Sequence, residues 1–165
     1  MHIEIMGRKQ LKKFIEEATP DYFNVVFITE PGQEVLLSVA MNAKEYLPVW
    51  FYDVTQPDSF YQAPTKEDVR SILEWTATRN GPLIVACAAG ISRSSATAYL
   101  IAYQKTKSVK EALKILDKNK HQPNMLIVKY GSELFKCPEL MDAYVRWLDD
   151  KLHTDIDTVP LEIIN

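Results

Sequence analysis

Leu83-Ile84-Val85-Ala86-Cys87-Ala88-Ala89-Gly90-Ile91-Ser92-Arg93-Ser94 is the run on which the reading of this 165-residue chain turns. Its first four residues are wholly apolar and follow Asn80-Gly81-Pro82, the pattern of a short central strand covered on both faces. From Ser94 to Tyr103 the chain is rich in Ala and free of Gly and Pro, which predicts a buried helix. A tight loop between such a strand and such a helix turns successive backbone N–H groups toward one point. The helix adds the positive end of its dipole, so the two together form a concave anion site.

The side chains in that loop are the ones phosphoryl chemistry needs. Ala88, Ala89, Gly90, Ile91 and Ser92 bring uncharged side chains and a row of amides that can bind a phosphoryl group. Arg93 brings a planar fork of donors that can grip two equatorial oxygens as the phosphorus becomes five-coordinate. Cys87, set beneath these donors, would have its thiolate favoured and act as nucleophile. Gly90 relieves the steric limit at the sharpest part of the turn. Ser94 is placed to hydrogen-bond the sulfur and ease its departure.

Working outward, Gly7 to Glu17 has helical spacing, with Leu11, Phe14 and Ile15 among Lys and Glu. Phe23 to Ile28 and Glu34 to Val39 read as strands divided by Pro31-Gly32, and Val49 to Tyr52 as another. Asp53 opens a long loop holding Pro57 and Pro64. Thr65 and Asp68 spell a capping box ahead of the stripe Val69, Ile72, Leu73 and Trp75. Ser108 and Glu111 spell a second one for Ala112 to Leu116. Residues from Asn124 onward and Glu139 to Leu152 predict two more helices, the latter with a core face of Leu140, Tyr144, Trp147 and Leu148. Early strands and late helices sum to an α/β fold with one central sheet, in a single domain over residues 1–152 with an unassigned tail over 153–165.

Composition narrows the function classes. Hydrophobic types at 47% and charged types at 25% suit one ordinary core-bearing domain. A net charge of −3 gives no basic footprint, so neither nucleic acid nor a membrane surface is expected as partner. The two cysteines, Cys87 and Cys137, lack metal-ligand spacing and suggest neither a disulfide framework nor a metal site, so no cofactor is expected and the reducing cytoplasm is the expected setting. The first residues match no signal or transit peptide. Cys137 is read as a small packed residue rather than a redox partner of Cys87, and His121 as a surface turn residue rather than a proton carrier.

Cys87, five residues, Arg93, then Ser94 resembles the signature of the cysteine-based protein tyrosine phosphatase superfamily. The run Ile84 to Ser95 is most similar to compact single-domain dual-specificity and bacterial or phage-type members. The resemblance implies the family's fold, a mixed, mostly parallel sheet flanked by helices, and two-step, metal-free hydrolysis through a phosphocysteine on Cys87. The partner it implies is a phosphorylated protein or peptide, phosphotyrosine above all, with dual specificity left to pocket depth. It also implies a general acid before the cysteine. Asp53, closing Trp50-Phe51-Tyr52, resembles that acid in position and aromatic setting, while a strand-end turn role is the plain alternative and Asp58 a competitor. Asp68 is read as a helix-start residue. Gln122-Pro123-Asn124 resembles the step at which an Asn supports the phosphate and acid loops, though Asn124 serves equally well as an N-cap.

One departure stands out: Ala86 occupies the position where the family usually has His, which weakens the expected activation of the thiol. A phosphate-binding pseudophosphatase is therefore the alternative from another class. Phosphoinositide or RNA phosphatases of the same fold are the enzymatic alternatives, disfavoured by the uncharged loop and the acidic composition. A rhodanese or arsenate-reductase-like enzyme could use the same spacing but would not need Asp53.

Overall fold

The computed structural model describes residues 2–57 and 60–157. Among the described residues four strands, β1 (Ile3–Gly7), β2 (Asn24–Thr29), β3 (Glu45–Trp50) and β4 (Leu83–Cys87), form one sheet in the order β1-β4-β2-β3. All three pairings are parallel, so the antiparallel member that a mixed sheet would add is not among the described strands. The helices that cover its faces are α1 (Arg8–Glu17), α2 (Leu37–Asn42), α3 (Lys66–Ala77), α4 (Arg93–Thr106), α5 (Val109–Leu113), α6 (Met125–Phe135) and α7 (Glu139–Asp157).

Strand alternation sorts the core into two layers. Val25, Phe27, Ile84 and Ala86 face α1 and α2, where Leu11, Ile15 and Val39 close a smaller cluster. Val26, Ile28, Leu83, Val85 and Cys87 face the larger cluster built with α3 to α7, which takes in Val69, Ile72, Tyr99, Leu100 and Ile127. The central strands β2 and β4 are buried at every position, which explains the apolar runs Val25 to Ile28 and Leu83 to Cys87 within them. Cys87 is the last residue of β4, and its side chain therefore starts on the helix-rich side.

Most predicted elements are present, and the departures have physical causes. Glu34 to Val39, read as a strand, instead leads into the helix α2. Because β2 and β3 run parallel, from Asn24 beside Glu45 to Thr29 beside Trp50, their connection must cross over, and a helix makes that crossover where a hairpin at Pro31-Gly32 could not. Strand β3 begins earlier than Val49 and carries Pro48 inside it, tolerated because β3 is an edge strand with one pairing partner. Strand β1 went unread: it is five residues long and pairs only with β4.

Capping chemistry fares well. The Thr65 hydroxyl accepts from the Asp68 N–H while the Asp68 carboxylate accepts from the Thr65 N–H, so the box ahead of α3 is reciprocal. Ser108 caps α5 by accepting from the Glu111 N–H, but the second box is not reciprocal: the Glu111 carboxylate accepts from Lys114 Nζ, and the helix is Val109–Leu113, earlier than the Ala112 to Leu116 read from the sequence. Leu140, Tyr144 and Trp147 are buried on α7 with Leu148 packed beside them, and the Tyr144 hydroxyl donates to the Pro123 carbonyl. Helix α7 continues beyond Leu152, and residues 158–165 of the tail lie outside the described residues. No helix among the described residues is long and apolar enough to cross a membrane.

His121 corrects an expectation. It is buried, not a surface turn residue, and its Nδ1 accepts from the Asp117 N–H at 2.9 Å. Burial holds its pKa below the ordinary 6.5, with the nearby Asp117 carboxylate opposing and Lys120 and Lys151 assisting. The neutral ring is what the fold accommodates, so its contribution to stability is present above the unfolded value of about 6.5 and is lost as pH falls toward the lower folded value. Thermal unfolding between pH 7.5 and 5 should therefore show a steeper loss for the wild type than for His121→Asn, whose side-chain oxygen can accept the same N–H without titrating. Parallel curves would contradict this.

Candidate active site

In a parallel sheet the carboxyl ends of the strands converge on one edge, and ligand sites form there. Here that edge gathers Gly7 at the end of β1, Glu30 just past β2, Phe51 to Asp53 past β3, and Cys87 at the end of β4. The loop from Ala88 to Ser92 then leads directly into α4.

The loop is held against the end of β1. Gly90 has φ of +72°, and a Cβ on it would lie 2.5 Å from the Gly7 nitrogen. Gly7 is tight as well, though less so, since its own Cβ would lie 3.0 Å from the Ala89 carbonyl oxygen. The Arg8 N–H donates to the Ala88 carbonyl at 3.1 Å, which completes the seam. On the other side the Gln122 N–H donates to the Ile91 carbonyl and the Asn124 N–H to the Ser92 carbonyl, at 3.0 and 3.1 Å. The Ser95 hydroxyl donates back to the carbonyls of Ile91 and Ser92. With carbonyls tied outward at Ala88, Ile91 and Ser92, the loop is fixed at both ends.

Ser92 is the N-cap of α4, but its hydroxyl makes no capping bond to the first turn. The opening N–H groups of the helix thus keep their donors for something other than a cap. Cys87 and Ser94 meet at the base, Sγ to Oγ 3.1 Å, both buried.

Arg93 is only 3% exposed. One Nη donates to the Phe51 carbonyl at 2.8 Å and the other to Glu30 Oε1 at 2.9 Å, so the guanidinium is anchored from behind by the loops after β2 and β3. Among the described residues its Nε–H is buried without a partner. A buried charged donor left unsatisfied is costly, and this one sits beside the Cys87–Ser94 pair. The loop carrying Glu30 is itself held, because the Trp50 indole donates to the Gln33 carbonyl at 3.0 Å.

Asp53 lies beside this loop. Its Oδ1 accepts from the Ser92 hydroxyl at 2.7 Å and from Asn124 Nδ2 at 2.9 Å. Asn124 Oδ1 accepts from the Leu126 and Ile127 N–H groups as N-cap of α6, while its Nδ2 also donates to the Val54 carbonyl. Asp58 lies outside the described residues. Asp68 is engaged in the Thr65 cap. Cys137, half-buried between α6 and α7, places its sulfur 3.4 Å from a Glu139 carboxylate oxygen, and both cysteines are free thiols.

Cys87, Arg93, Ser94, the loop residues, Asp53 and Asn124 are thus brought together. Sequence reasoning missed Glu30, Gly7 and the side-chain role of Ser92. Glu30 stands alone after an apolar strand, and nothing in its local sequence ties it to an arginine 63 positions later. Gly7 opens a run of helical spacing, and with β1 unread nothing marks it as the end of a strand. The departure at Ala86 also has a setting: it is fully buried in the cluster beneath α1, on the opposite side of the sheet from Cys87.

No protein-family model matches the chain, and no curated protein does. Among solved structures the chain is similar to Tk-PTP, a protein tyrosine phosphatase, in its active form, at 20% identity and a TM-score of 0.53, over 86% of this chain and 92% of that one. At that identity the likeness establishes architecture: the chain has an α/β fold of the tyrosine phosphatase type, with a parallel sheet flanked by helices.

Proposed function

We propose that this chain is a cysteine-dependent phosphatase that hydrolyses phosphate monoesters, phosphotyrosine in protein foremost, through a phosphocysteine on Cys87. Residues 1–152 are taken as one phosphatase domain acting in the cytoplasm, where a reducing setting keeps the thiol usable. The observation that carries the reading is the buried, unpartnered Nε–H of Arg93, on a guanidinium anchored by Glu30 and Phe51 beside the Cys87–Ser94 pair.

In the first step the Cys87 sulfur attacks phosphorus and the bond to the leaving oxygen breaks, with Asp53 giving that oxygen a proton. Loop amides and Arg93 meet the charge on the three equatorial oxygens, so the route calls on no metal or cofactor. In the second step water attacks phosphorus, its proton passes to Asp53, and the sulfur leaves with help from the Ser94 hydroxyl. A phenyl leaving group is favoured by the apolar and aromatic side chains flanking the site: exposed Ile91 beside Ser92, exposed Met125 beside Asn124, and Tyr52 beside Asp53 with its ring 5.1 Å from that of Tyr61.

Phosphate release from phosphotyrosyl peptides, with acid quenching to trap the phosphoenzyme, tests this directly. Asp53→Asn should lower kcat/KM on such peptides by about 100-fold, and far less on an activated aryl ester whose leaving group needs little proton help. If Asp58→Asn gives that pattern instead, the acid is misassigned. Tight phosphopeptide binding with no release by the wild type would identify a phosphate-reading protein in place of an enzyme.

A further inference from the structure

We infer that Ser92 is a positioning residue for Asp53: its side chain, with that of Asn124, commits one carboxyl oxygen to hydrogen bonds and leaves Oδ2 as the oxygen that carries and delivers the proton. The inference rests on the proposed phosphatase chemistry and specifies how its acid is held.

A serine at an N-cap ordinarily turns its hydroxyl back to the first turn of its own helix from an extended backbone. Ser92 has φ of −109° and ψ of −71°, makes no such bond, and points its hydroxyl across to Asp53 instead. That forgoes a common source of helix stability. Both donors, Ser92 Oγ and Asn124 Nδ2, converge on Oδ1, and among the described residues Oδ2 has no partner. An oxygen accepting two hydrogen bonds is a poor place for a proton, so Oδ2 is the oxygen through which the proton is delivered. Two tethers on one oxygen also fix the direction in which the other points. One tether comes from the phosphate loop and one from the cap of α6, so the acid is registered against the same loop that holds the phosphoryl group.

The proton transfers then have a defined route. As the S–P bond forms and the bond from phosphorus to the phenolic oxygen breaks, the Oδ2–H bond breaks and its proton goes to that oxygen. As water attacks and the S–P bond breaks, the water proton goes to Oδ2 and the thiolate is released.

The test compares Ser92→Ala and Ser92→Thr with wild type on a phosphotyrosyl peptide and on 2,4-dinitrophenyl phosphate. Ser92→Ala should lower kcat/KM for the peptide about tenfold and for the activated ester less than about twofold, with inhibition by inorganic phosphate unchanged. Ser92→Thr, which keeps a hydroxyl, should restore peptide turnover. In an Asp53→Asn background, Ser92→Ala should add no further loss. Equal losses on both substrates, or a loss that persists undiminished without Asp53, would overturn the inference. Hydrogen exchange supplies a readout independent of turnover: backbone amides from Tyr52 to Gln56 should exchange faster in Ser92→Ala. If the wild type hydrolyses nothing, the proposed function falls, and unchanged exchange in that variant removes the tether with it, whereas faster exchange sustains the tether alone.

Discussion

Cys87→Ser should abolish phosphate release from phosphotyrosyl peptides, by about four orders of magnitude or more, while the protein still folds and still binds the phosphopeptide. The sulfur is the atom to which phosphorus is transferred, and a serine hydroxyl is a far poorer nucleophile at neutral pH because its proton is held much more tightly. The supports of the loop remain, although the contact of the sulfur with Ser94 Oγ is altered. The loop geometry depends on Gly90 pressed against Gly7, on the Arg8 and Asn124 N–H bonds, and on Ser95, none of which uses the sulfur. Serine is also smaller, so the buried position loses a little packing, about 1 kcal/mol, and the melting temperature should shift only modestly. Phosphate release, trapped phosphoenzyme and calorimetric titration with the peptide separate these effects. Residual turnover near wild-type level would refute the phosphocysteine route. Cys137→Ser serves as the control: that sulfur faces Glu139 at the junction of α6 and α7, and its loss should leave turnover unchanged.

Why the loop could be read from the sequence while its supports could not follows from where the information lies. The strand Leu83–Cys87 is buried on both faces, so it must be spelled in apolar residues. The turn after it must bend sharply, so it needs Gly90, and the nucleophile and the arginine sit on one short segment whose spacing is fixed by covalent geometry. Asp53 and Asn124 stand out by resemblance instead, an Asp closing an aromatic run and a Pro-Asn step, because neither carries a local pattern that would fix its role. Glu30 and Ser92 act across the fold, 63 and 39 positions from their partners, and a parallel sheet brings such residues together without leaving any trace in local pattern. The α2 misreading has the same origin. Val35, Leu36 and Val39 suit a strand by composition, and only the parallel direction of β3, a tertiary fact, requires a crossover helix there. His121 was misjudged because a lone histidine next to a turn carries no periodic signal of burial, and its cover comes from elements elsewhere, Lys151 of α7 donating to its carbonyl.

Arg93→Lys should lower kcat/KM for phosphotyrosyl peptides by about 1,000-fold, although the positive charge is kept. The guanidinium has three duties that one ammonium cannot share. Its two Nη groups donate to the Phe51 carbonyl and to Glu30, in directions set by the loops after β3 and β2, and the Nε–H remains for a phosphoryl oxygen. A lysine ammonium is a single point with three protons on one nitrogen. Drawn toward Glu30 it withdraws from the phosphoryl group, and drawn toward the phosphoryl group it leaves Glu30 and the Phe51 carbonyl unpaired. The loss should fall on kcat as well as on phosphate affinity, because a planar fork follows the equatorial oxygens as they flatten and a point charge does not. Arg93→Ala separates this from folding. It leaves Glu30 without its cation, and breaking a buried pair costs about 3 kcal/mol, here reduced because the Glu30 side chain is 26% exposed while that of Arg93 is 4% exposed. Coupling Arg93→Ala with Glu30→Gln should then recover part of the stability without recovering any turnover, since the acceptor no longer carries an unpaired charge but the phosphoryl group still lacks its fork. If Arg93→Lys keeps activity within about threefold of wild type, the guanidinium does not hold the transferring group, and its pairing with Glu30 is architecture alone.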